Sequence, residues 1–267
     1  MAVSVSLLAS GSRGNCALVA SNSTRILLDA GLSGRETFKR LRALEECPDA
    51  ITAILITHEH SDHVAGLERL ATKLNIPVYL TEATHHTWKR AMRDEQGETP
   101  KLPKIEHFSA GSRFRVGDIE VSPFTIPHDA IDPVGFTFRA EGVKIGFATD
   151  LGYMPVSVRN HLSGSTVLVM ESNHDVEMLR TGPYPWSVKQ RVMSRVGHLS
   201  NDSLAEFFAG DYDGSAEYLV LAHLSEQNNH PEIARASAEN ALRNRQGLWS
   251  NRVLLAAQSE ATAPIRL

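Results

Sequence analysis

Thr57–His58–Glu59–His60–Ser61–Asp62–His63 is the stretch from which the rest of the chain can be read, and five of its seven residues can bind a metal ion or move a proton. It follows the apolar run Ala53–Ile54–Leu55–Ile56, expected to be a buried strand. It leads into an apolar-periodic segment, Val64, Leu67, Leu70, Ala71 and Leu74, expected to be a helix. The ligand-rich residues therefore occupy a strand-to-helix loop, where the backbone is held at both ends and side chains converge on open space. Asp62 alone has a plainer reading as a helix cap. Capping uses one residue and accounts for none of the three imidazoles.

The spacing suits two ions. His58 and His60 are two apart on extended backbone, so their side chains face the same way and can share one ion. Asp62 and His63 are adjacent where the chain turns into the helix and can reach a neighbouring ion. Imidazole nitrogen and carboxylate oxygen suit zinc, manganese or iron. No cysteine accompanies them, which argues against a purely structural zinc site. Four ligands leave two ions incomplete, so further donors must come from elsewhere in the chain.

Composition narrows the class. The 267 residues are enough for one large domain or two small ones, and 42% of them are hydrophobic, enough for a sizeable core. The formal net charge of −4 advertises no global basic field for nucleic acid, though a local groove remains open. Cys16 and Cys47 form no CxxC pair and are expected to be reduced structural thiols. The start, MAVSVSLLAS, has no basic segment before its apolar residues and reads as a strand, not a signal peptide. No apolar run approaches the roughly 20 residues that span a bilayer. A cytoplasmic protein with no membrane partner is expected.

Along the chain, strands are expected at 3–8, 16–20 and 25–29, with the turn Ser10–Gly11–Ser12–Arg13–Gly14–Asn15 between the first two. That turn has the glycines of a phosphate cradle but neither the lysine nor the helix of a P-loop, so turn chemistry is the favoured reading. Asp29 ends a strand before Ala30–Gly31. It is either an ordinary turn residue or a hydrogen-bond partner of the metal loop. A helix is expected over 33–44, opened by Ser33 and Glu36 as a capping box. A strand at 77–80 and a helix at 84–93 follow, with His85 and His86 expected on the surface. Residues 95–104 read as a loop, and strands resume at 105–108, 113–116, 119–124, 135–140 and 144–149. Further strands are expected at 166–170 and 218–222, with a closing edge strand at 251–257. Helices are expected at 186–196, from Ser200 or Asn201, and at 231–245 behind Pro231. No linker separates two cores, so residues 1–267 are expected to form one domain.

Three more donors sit at strand ends: His128 in Thr125–Ile126–Pro127–His128, Asp150 before Leu151–Gly152, and His223 after Tyr218–Ala222. Singly each reads as a turn residue as readily as a ligand. Their shared placement at strand C-terminal ends, which converge on one face, makes them the missing set. His58, His60 and His128 are then expected to hold one ion, Asp62, His63 and His223 the other, and Asp150 to bridge both.

With these residues assembled, the chain resembles the metallo-β-lactamase-fold hydrolases. HEHSDH at 58–63, His128, Asp150 and His223 stand in that family's order, and Leu27–Leu28–Asp29–Ala30–Gly31 matches its first motif. The resemblance implies an α+β fold, a four-layer αββα sandwich with two divalent ions (zinc or manganese) at one edge of the paired sheets. It also favours the metal-loop role for Asp29. Within the superfamily, the chain is most similar to the bacterial YycJ/WalJ-type proteins. Leu8–Ser12 with Gly14–Cys16, Thr149–Tyr153, Glu171–Ser172–Asn173–His174–Asp175, Gly197–Asn201 and Leu221–Glu226 carry that likeness. It implies a 5′→3′ exodeoxyribonuclease of DNA repair, acting on single strands or 5′ ends. No β-CASP insertion of the larger nuclease relatives is present.

Chemically, two ions would ionise a shared water for attack on phosphorus. Asp62 would then be catalytic as well as a ligand, and an acid would protonate the departing oxygen. His198, which resembles the histidine after the aspartate motif of tRNA 3′-processing phosphodiesterases, is the candidate, although it can equally bond its own loop. Glu171 and His174 would orient it or line the pocket, and Asn173 would donate to a phosphate oxygen. Arg13, Arg180, Lys189, Arg191 and Arg195 flank these motifs, and Tyr153, Tyr184 and Trp186 are available to stack on bases. A solvated face with core aromatics explains the same residues. Two other functions compete: a metallo-hydrolase of a thioester, lactone or lactam, and a DNA-binding scaffold without activity.

Overall fold

Strand pairing divides the chain into two halves that repeat one plan. In a computed structural model describing residues 3–93, 97–243 and 251–267, the first half contains β1 (Ser4–Ala9), β2 (Cys16–Ala20), β3 (Arg25–Leu28) and α1 (Gly34–Ala43). It continues with β4 (Ala53–Leu55), α2 (Ser61–Val64), α3 (Leu67–Leu74), β5 (Pro77–Thr81), α4 (Glu82–Ala91) and β6 (Lys104–Phe108). The second half opens with a meander of β7 (Phe114–Val116), β8 (Ile119–Thr125), β9 (Val134–Ala140) and β10 (Val143–Ala148). After it come α5 (Val156–Leu162), β11 (Val167–Glu171), α6 (Val176–Thr181), α7 (Trp186–Val192), α8 (Asn201–Ala209) and β12 (Tyr218–Ala222). The chain closes with α9 (Pro231–Arg243), β13 (Arg252–Leu255) and β14 (Ile265–Arg266).

The two seven-stranded sheets run β14-β1-β2-β3-β4-β5-β6 and β13-β12-β11-β10-β9-β8-β7. β3 to β6 are parallel neighbours, as are β10 to β13, so each half ends in parallel strands whose C-terminal ends share an edge. Period-2 alternation builds the layers. Ala53, Leu55, Val167, Val169, Val220 and Ala222 face the core between the sheets, with Phe136, Phe138 and Phe147. Their neighbours face outward: Ile54 packs with Phe38, Leu67 and Trp88 of α1, α3 and α4, and Leu168, Met170 and Leu221 pack with Val158, Phe208 and Ala238 of α5, α8 and α9. Three cores between four layers make the expected αββα sandwich. Among the described residues no helix is long and apolar enough to cross a membrane. Cys16 and Cys47 are both free thiols.

Several local expectations change. The helix read from Val64 to Leu74 is broken into α2 and α3 at Gly66, where a Cβ would meet Leu32 O at 2.0 Å. α7 stops at Val192 instead of 196. Gly197 folds back until a Cβ there would lie 2.2 Å from the Arg191 and Val192 carbonyl oxygens, and His198 N donates to Val192 O. α5, α6 and β14 have no counterpart in the sequence reading, being too short for a periodicity to register. Residues 94–96 of the expected loop, and 244–245 of the expected last helix, lie outside the described residues. Ser33 accepts from Glu36 N as expected, but the Glu36 carboxylate turns to Arg40, so only half of the capping box forms.

His85 is not a surface residue. It is buried on α4, its Nδ1 lies 3.0 Å from His107 Nε2 on β6, and only its neighbour His86 is exposed. Burial, then the nearby His107, Lys89 and His86, lowers His85 from 6.5 to about 4. Between those values the folded chain holds fewer protons than the unfolded chain. The stability that neutral His85 contributes is thus present above pH 6.5 and lost as pH falls toward 4. His174, lowered to about 4 chiefly by burial, adds in the same direction. Thermal melts of the metal-free protein are expected to show Tm falling across this window, and His85→Gln should flatten part of the fall. Identical slopes for the two proteins would refute that assignment.

The metal loop is seated on Gly31. A Cβ there would lie 1.7 Å from Asp62 O and 2.6 Å from Asn15 N, both backbone atoms with no freedom to yield. Gly31→Ala is expected to destabilise by about 1–3 kcal/mol through overpacking, roughly 2–4 °C in Tm per kcal/mol for a chain near this size. Differential scanning calorimetry reads the shift, and a Tm unchanged within error would contradict the close approach.

Candidate metal centre

All seven expected donors end up at the one edge where the parallel strands of both sheets finish. Asp29 follows β3, His58 to His63 follow β4, Asp150 follows β10, and His223 follows β12. His128 arrives on the connection from β8 to β9, which is stitched to the metal loop by Val134 N donating to Thr57 O. His58, His60 and His128 form one group whose donor atoms lie within 4.8 Å of one another, and Asp62, His63 and His223 form another. Asp150 joins a third group with His58 and His63 and lies 3.4 Å from His223, so it reaches both halves.

The orientation of the rings is set from behind. His63 Nδ1 lies 2.8 Å from Asp29 Oδ2, and Asp29 Oδ1 accepts from Thr57 N at 2.9 Å. Asp29 therefore hydrogen-bonds the His58–His63 loop from behind at two points. His58 Nδ1 faces Thr57 Oγ1 at 3.0 Å, His128 Nδ1 faces Gly197 O at 3.2 Å, and His223 Nδ1 faces Glu171 Oε1 at 2.9 Å. With each Nδ1 donating, each Nε2 presents a lone pair to the cluster. His58 Nε2 and His128 Nε2 converge on His60 Nδ1 at 3.1 and 3.3 Å. His223 Nε2 and Asp150 Oδ2 are buried without any hydrogen-bond partner. A buried imidazole nitrogen and a buried carboxylate oxygen left without partners are costly unless a cation stands between them, so the donor set fits divalent metal.

Charge follows the same pattern. Burial, then the neighbouring His63, His128 and His60, holds His58 well below its ordinary range, and burial lowers His128. Both rings are therefore neutral. Burial opposes protonation of His63, yet Asp29, Asp150 and Asp62 raise it well above the ordinary value. The carboxylates thus gather around the second triad, where Asp150, Asp62 and Glu171 raise His223 as well against its burial.

Glu171 at the end of β11 does more than line a pocket. It is fully buried, with Oε1 2.8 Å from His198 Nδ1 and 2.9 Å from His223 Nδ1. Oε2 accepts from Leu151 N and Leu199 N at 2.9 and 3.0 Å. Burial would raise Glu171, but His198 and His223 bring it below the usual carboxylate range. Burial would lower His198, and Glu171 reverses that and raises it. Of the residues expected around His198, only Glu171 reaches it. His174 is buried with its Nδ1 on Asn173 Oδ1, and the Asn173 amide donates to His223 O, which turns it away from the phosphate role expected of it.

Two residues of the glycine-rich turn also enter the site, which the sequence reading did not anticipate. Asn15 Oδ1 accepts from Gly11 N at 2.8 Å, which points Nδ2 at Asp62 Oδ2 and His63 Nε2, both 3.0 Å away. Ser10 Oγ accepts from His223 N at 2.7 Å. The basic residues flanking the motifs divide. Lys189 is buried with Nζ on Arg180 O, while Arg13, Arg180 and Arg191 pair with Glu226, Glu177 and Asp129.

A sequence model described as a Beta-lactamase superfamily domain matches residues 24–224, a span that holds Asp29 and every donor from His58 to His223. The chain is 42% identical to Exodeoxyribonuclease YycJ of Bacillus anthracis over 91% of its own length and 90% of that protein. It belongs to the beta-lactamase superfamily, in the YycJ/WalJ family. Exodeoxyribonuclease WalJ of Streptococcus pneumoniae is a second relative, 36% identical over 89% of this chain and 87% of that one. The crystal structure of the metallo-beta-lactamase fold protein YhfI from Bacillus subtilis superposes with a TM-score of 0.68 at 15% identity, covering 97% of this chain and 99% of that one. That likeness shows the fold. As a member of the YycJ/WalJ family the chain is a metal-dependent hydrolase.

Proposed function

We propose that residues 1–267 form one hydrolase domain that removes nucleotides from the 5′ end of DNA, a dinuclear-metal 5′→3′ exodeoxyribonuclease of cytoplasmic DNA repair. The names of the YycJ and WalJ relatives support the DNA substrate. The observation that carries the reaction class is the His198–Glu171 pair beside the cluster. Hydrolysis of a phosphodiester expels an alkoxide, which benefits from an acid, whereas thioester or lactam hydrolysis scarcely requires this imidazole–carboxylate arrangement.

His58, His60 and His128 would hold one ion, Asp62, His63 and His223 the other, and Asp150 would reach both, with zinc or manganese fitting the donors. When bound, such ions supply Lewis acidity and make water acidic enough to act as a nucleophile near neutral pH. Asp62, held by Asn15, orients the attacking side and accepts its proton. His198, kept protonated by Glu171 at its Nδ1, donates from Nε2 to the departing 3′-oxygen. Asp29 and Thr57 hold the rings of His63 and His58 against rotation, and the buried walls exclude bulk water.

The test uses one preparation loaded with zinc and another with manganese. Each is given 5′-phosphorylated and 5′-hydroxyl oligonucleotides, a thioester and a lactam. Release of mononucleotides from the 5′ end is the expected result. Turnover of thioester or lactam with intact oligonucleotide would make the chain a small-molecule hydrolase. Oligonucleotide bound but never cut, under either metal, would make it a scaffold.

A further inference from the structure

The chain carries a formal net charge of −4, yet one cavity on its surface is lined by four basic side chains and no acidic one. The cavity measures about 210 Å³ and lies on the outer face of the second sheet, beside α5. Period-2 alternation sets its floor. Val121, Phe136, Phe138 and Ile145 face the core between the sheets, so Ser122, Thr137, Arg139 and Lys144 face outward. Lys144 and Arg139 are register partners on β10 and β9, as are Ser122 and Thr137 on β8 and β9. One wall is α5, whose His161 ring stacks on Phe124 with centroids 4.8 Å apart. The other is the turn before β7, held by Gly111 N donating to Pro123 O at 2.8 Å, and it brings Arg113 to the cavity.

The positive charge there is not cancelled by the protein. Lys144 is 6% exposed, and its Nζ donates to Ser163 O. An ammonium carries three donors, and among the described residues that is the one in use. Asp213 acts on Lys144 from a distance, but each of its oxygens is already held by two donors, from Ser163, Gly164 and Ser215. Arg113 and Arg139 are exposed and form no ion pair or side-chain hydrogen bond among the described residues. Glu120, opposite Arg139 in the ladder, lines the next cleft with Asp118 and Glu141, and Arg139 stands between the two. Burial, then Arg139, lowers Lys144, and burial, then Lys144 and Arg113, lowers His161. The basic groups therefore work against one another until an anion enters.

Charge and size select the ligand. A phosphate group carries about −1.5 to −2 charges and three strong acceptor oxygens, and the planar fork of arginine matches those oxygens. A carboxylate brings one charge and leaves most of the basic groups unmatched. The cavity is smaller than the roughly 300–1,000 Å³ of sites for larger organic ligands. The carboxylates of the next cleft interrupt any basic track that a nucleic-acid strand would follow. Lys144 lies near the start of β10 and Asp150 just past its end, about 20 Å along an extended strand, so an anion here does not touch the metal centre. We propose that this cavity is a second ligand site for a small phosphate-class anion, either inorganic phosphate or the head of a phosphomonoester. Arg113, Arg139, Lys144 and His161 surround its oxygens, and Ser122 and Thr137 donate from the floor. The site stands independently of the nuclease reading. A bound anion ties α5 and the turn before β7 to the sheet, so occupancy stabilises the folded chain.

The test is isothermal titration calorimetry of the full-length, zinc-loaded protein at fixed ionic strength, with inorganic phosphate, adenosine 5′-monophosphate and acetate. Phosphate is also a ligand for zinc, so substitutions isolate the cavity. Arg113→Gln and Arg139→Gln, both at exposed side chains, are each expected to weaken phosphate binding at the cavity by roughly 10- to 100-fold, the range for losing a hydrogen bond to a charged group. Metal content should match the parent's, and phosphate should raise the Tm of the parent more than that of either variant. Tighter binding of the monophosphate than of inorganic phosphate, or the reverse, supports the site and tells which of the two sources it takes. A phosphate isotherm and a Tm rise unchanged by both substitutions would confine binding to the metal centre and overturn the proposal. Acetate bound as tightly as phosphate would reduce the cavity to a patch of unselective charge and overturn it too. Loss of affinity for an oligonucleotide but not for phosphate in both variants would overturn it in favour of a nucleic-acid contact.

Discussion

Asp150→Gly is expected to silence the enzyme while leaving its metal-free form at least as stable as the parent. Asp150 sits at φ 59°, in the left-handed region that L-residues avoid. The cost there is roughly 1–2 kcal/mol for an ordinary side chain, and glycine removes it. Its Oδ2 is also buried without a hydrogen-bond partner, a second local cost that the substitution removes. Strain of this sort persists where function requires it. Asp29 at φ 61° and His223 at φ 55° share the conformation, so three residues of one centre carry it at three strand ends. Loss of the one carboxylate that reaches both groups of donors should lower kcat/KM by about 10³-fold or more, since bound metal is worth several kcal/mol to the transition state. Elemental analysis should show less metal per chain than in the parent. Melts in excess chelator supply the decisive comparison. A chelated variant that melts well below the chelated parent, or one that keeps its turnover, would show that Asp150 is a structural residue.

His198→Ala should lower kcat on oligonucleotides by roughly 10²–10⁴-fold, the range for losing a positioned general acid. The loss should be far smaller on a diester with a p-nitrophenolate leaving group, which departs without a proton. A purely structural His198 would harm both substrates equally, and that result would remove it from the reaction. The pH profile separates the pair further. Burial works against the imidazolium and Glu171 restores it, so His198 stays protonated above its ordinary range. The acid is therefore available at low and neutral pH and disappears as pH rises through that raised value, which sets the alkaline limb of activity. Glu171→Gln removes the carboxylate charge, so the imidazole deprotonates sooner and the alkaline limb should move to lower pH. An unmoved limb would assign it to another group.

How much of the centre was legible depended on how far apart its parts lie in the chain. HEHSDH is a local pattern, and spacing on extended backbone dictated which side chains could face one way. His128, Asp150 and His223 were legible because each follows an apolar run, and the ends of parallel strands must gather at one edge. Asn15 gave no such signal. Its turn has ordinary turn composition, and it enters the site only because Gly31 lets Asp62 O and Asn15 N approach to near contact. His85 misled for the converse reason. Its partner His107 lies 22 residues away on β6, in register with Leu80 of β5, and no local pattern announces such a pairing.

The residue types, their order and their spacing by themselves determined the two groups of imidazoles and carboxylates, while the four-layer class and the place of His198 beside them followed from the resemblance to a known family. Folding decided what each polar group faces: which nitrogen of each ring is tied back and which looks inward, and that Glu171 serves His198 and His223 at once. It also decided that Asn173 turns to His223. The division has a physical origin. Periodicity and spacing are properties of neighbouring residues, fixed by bond geometry and burial. A hydrogen bond across 52 residues, such as that between Glu171 and His223, exists only after β11 and β12 have paired in register and their ends lie side by side.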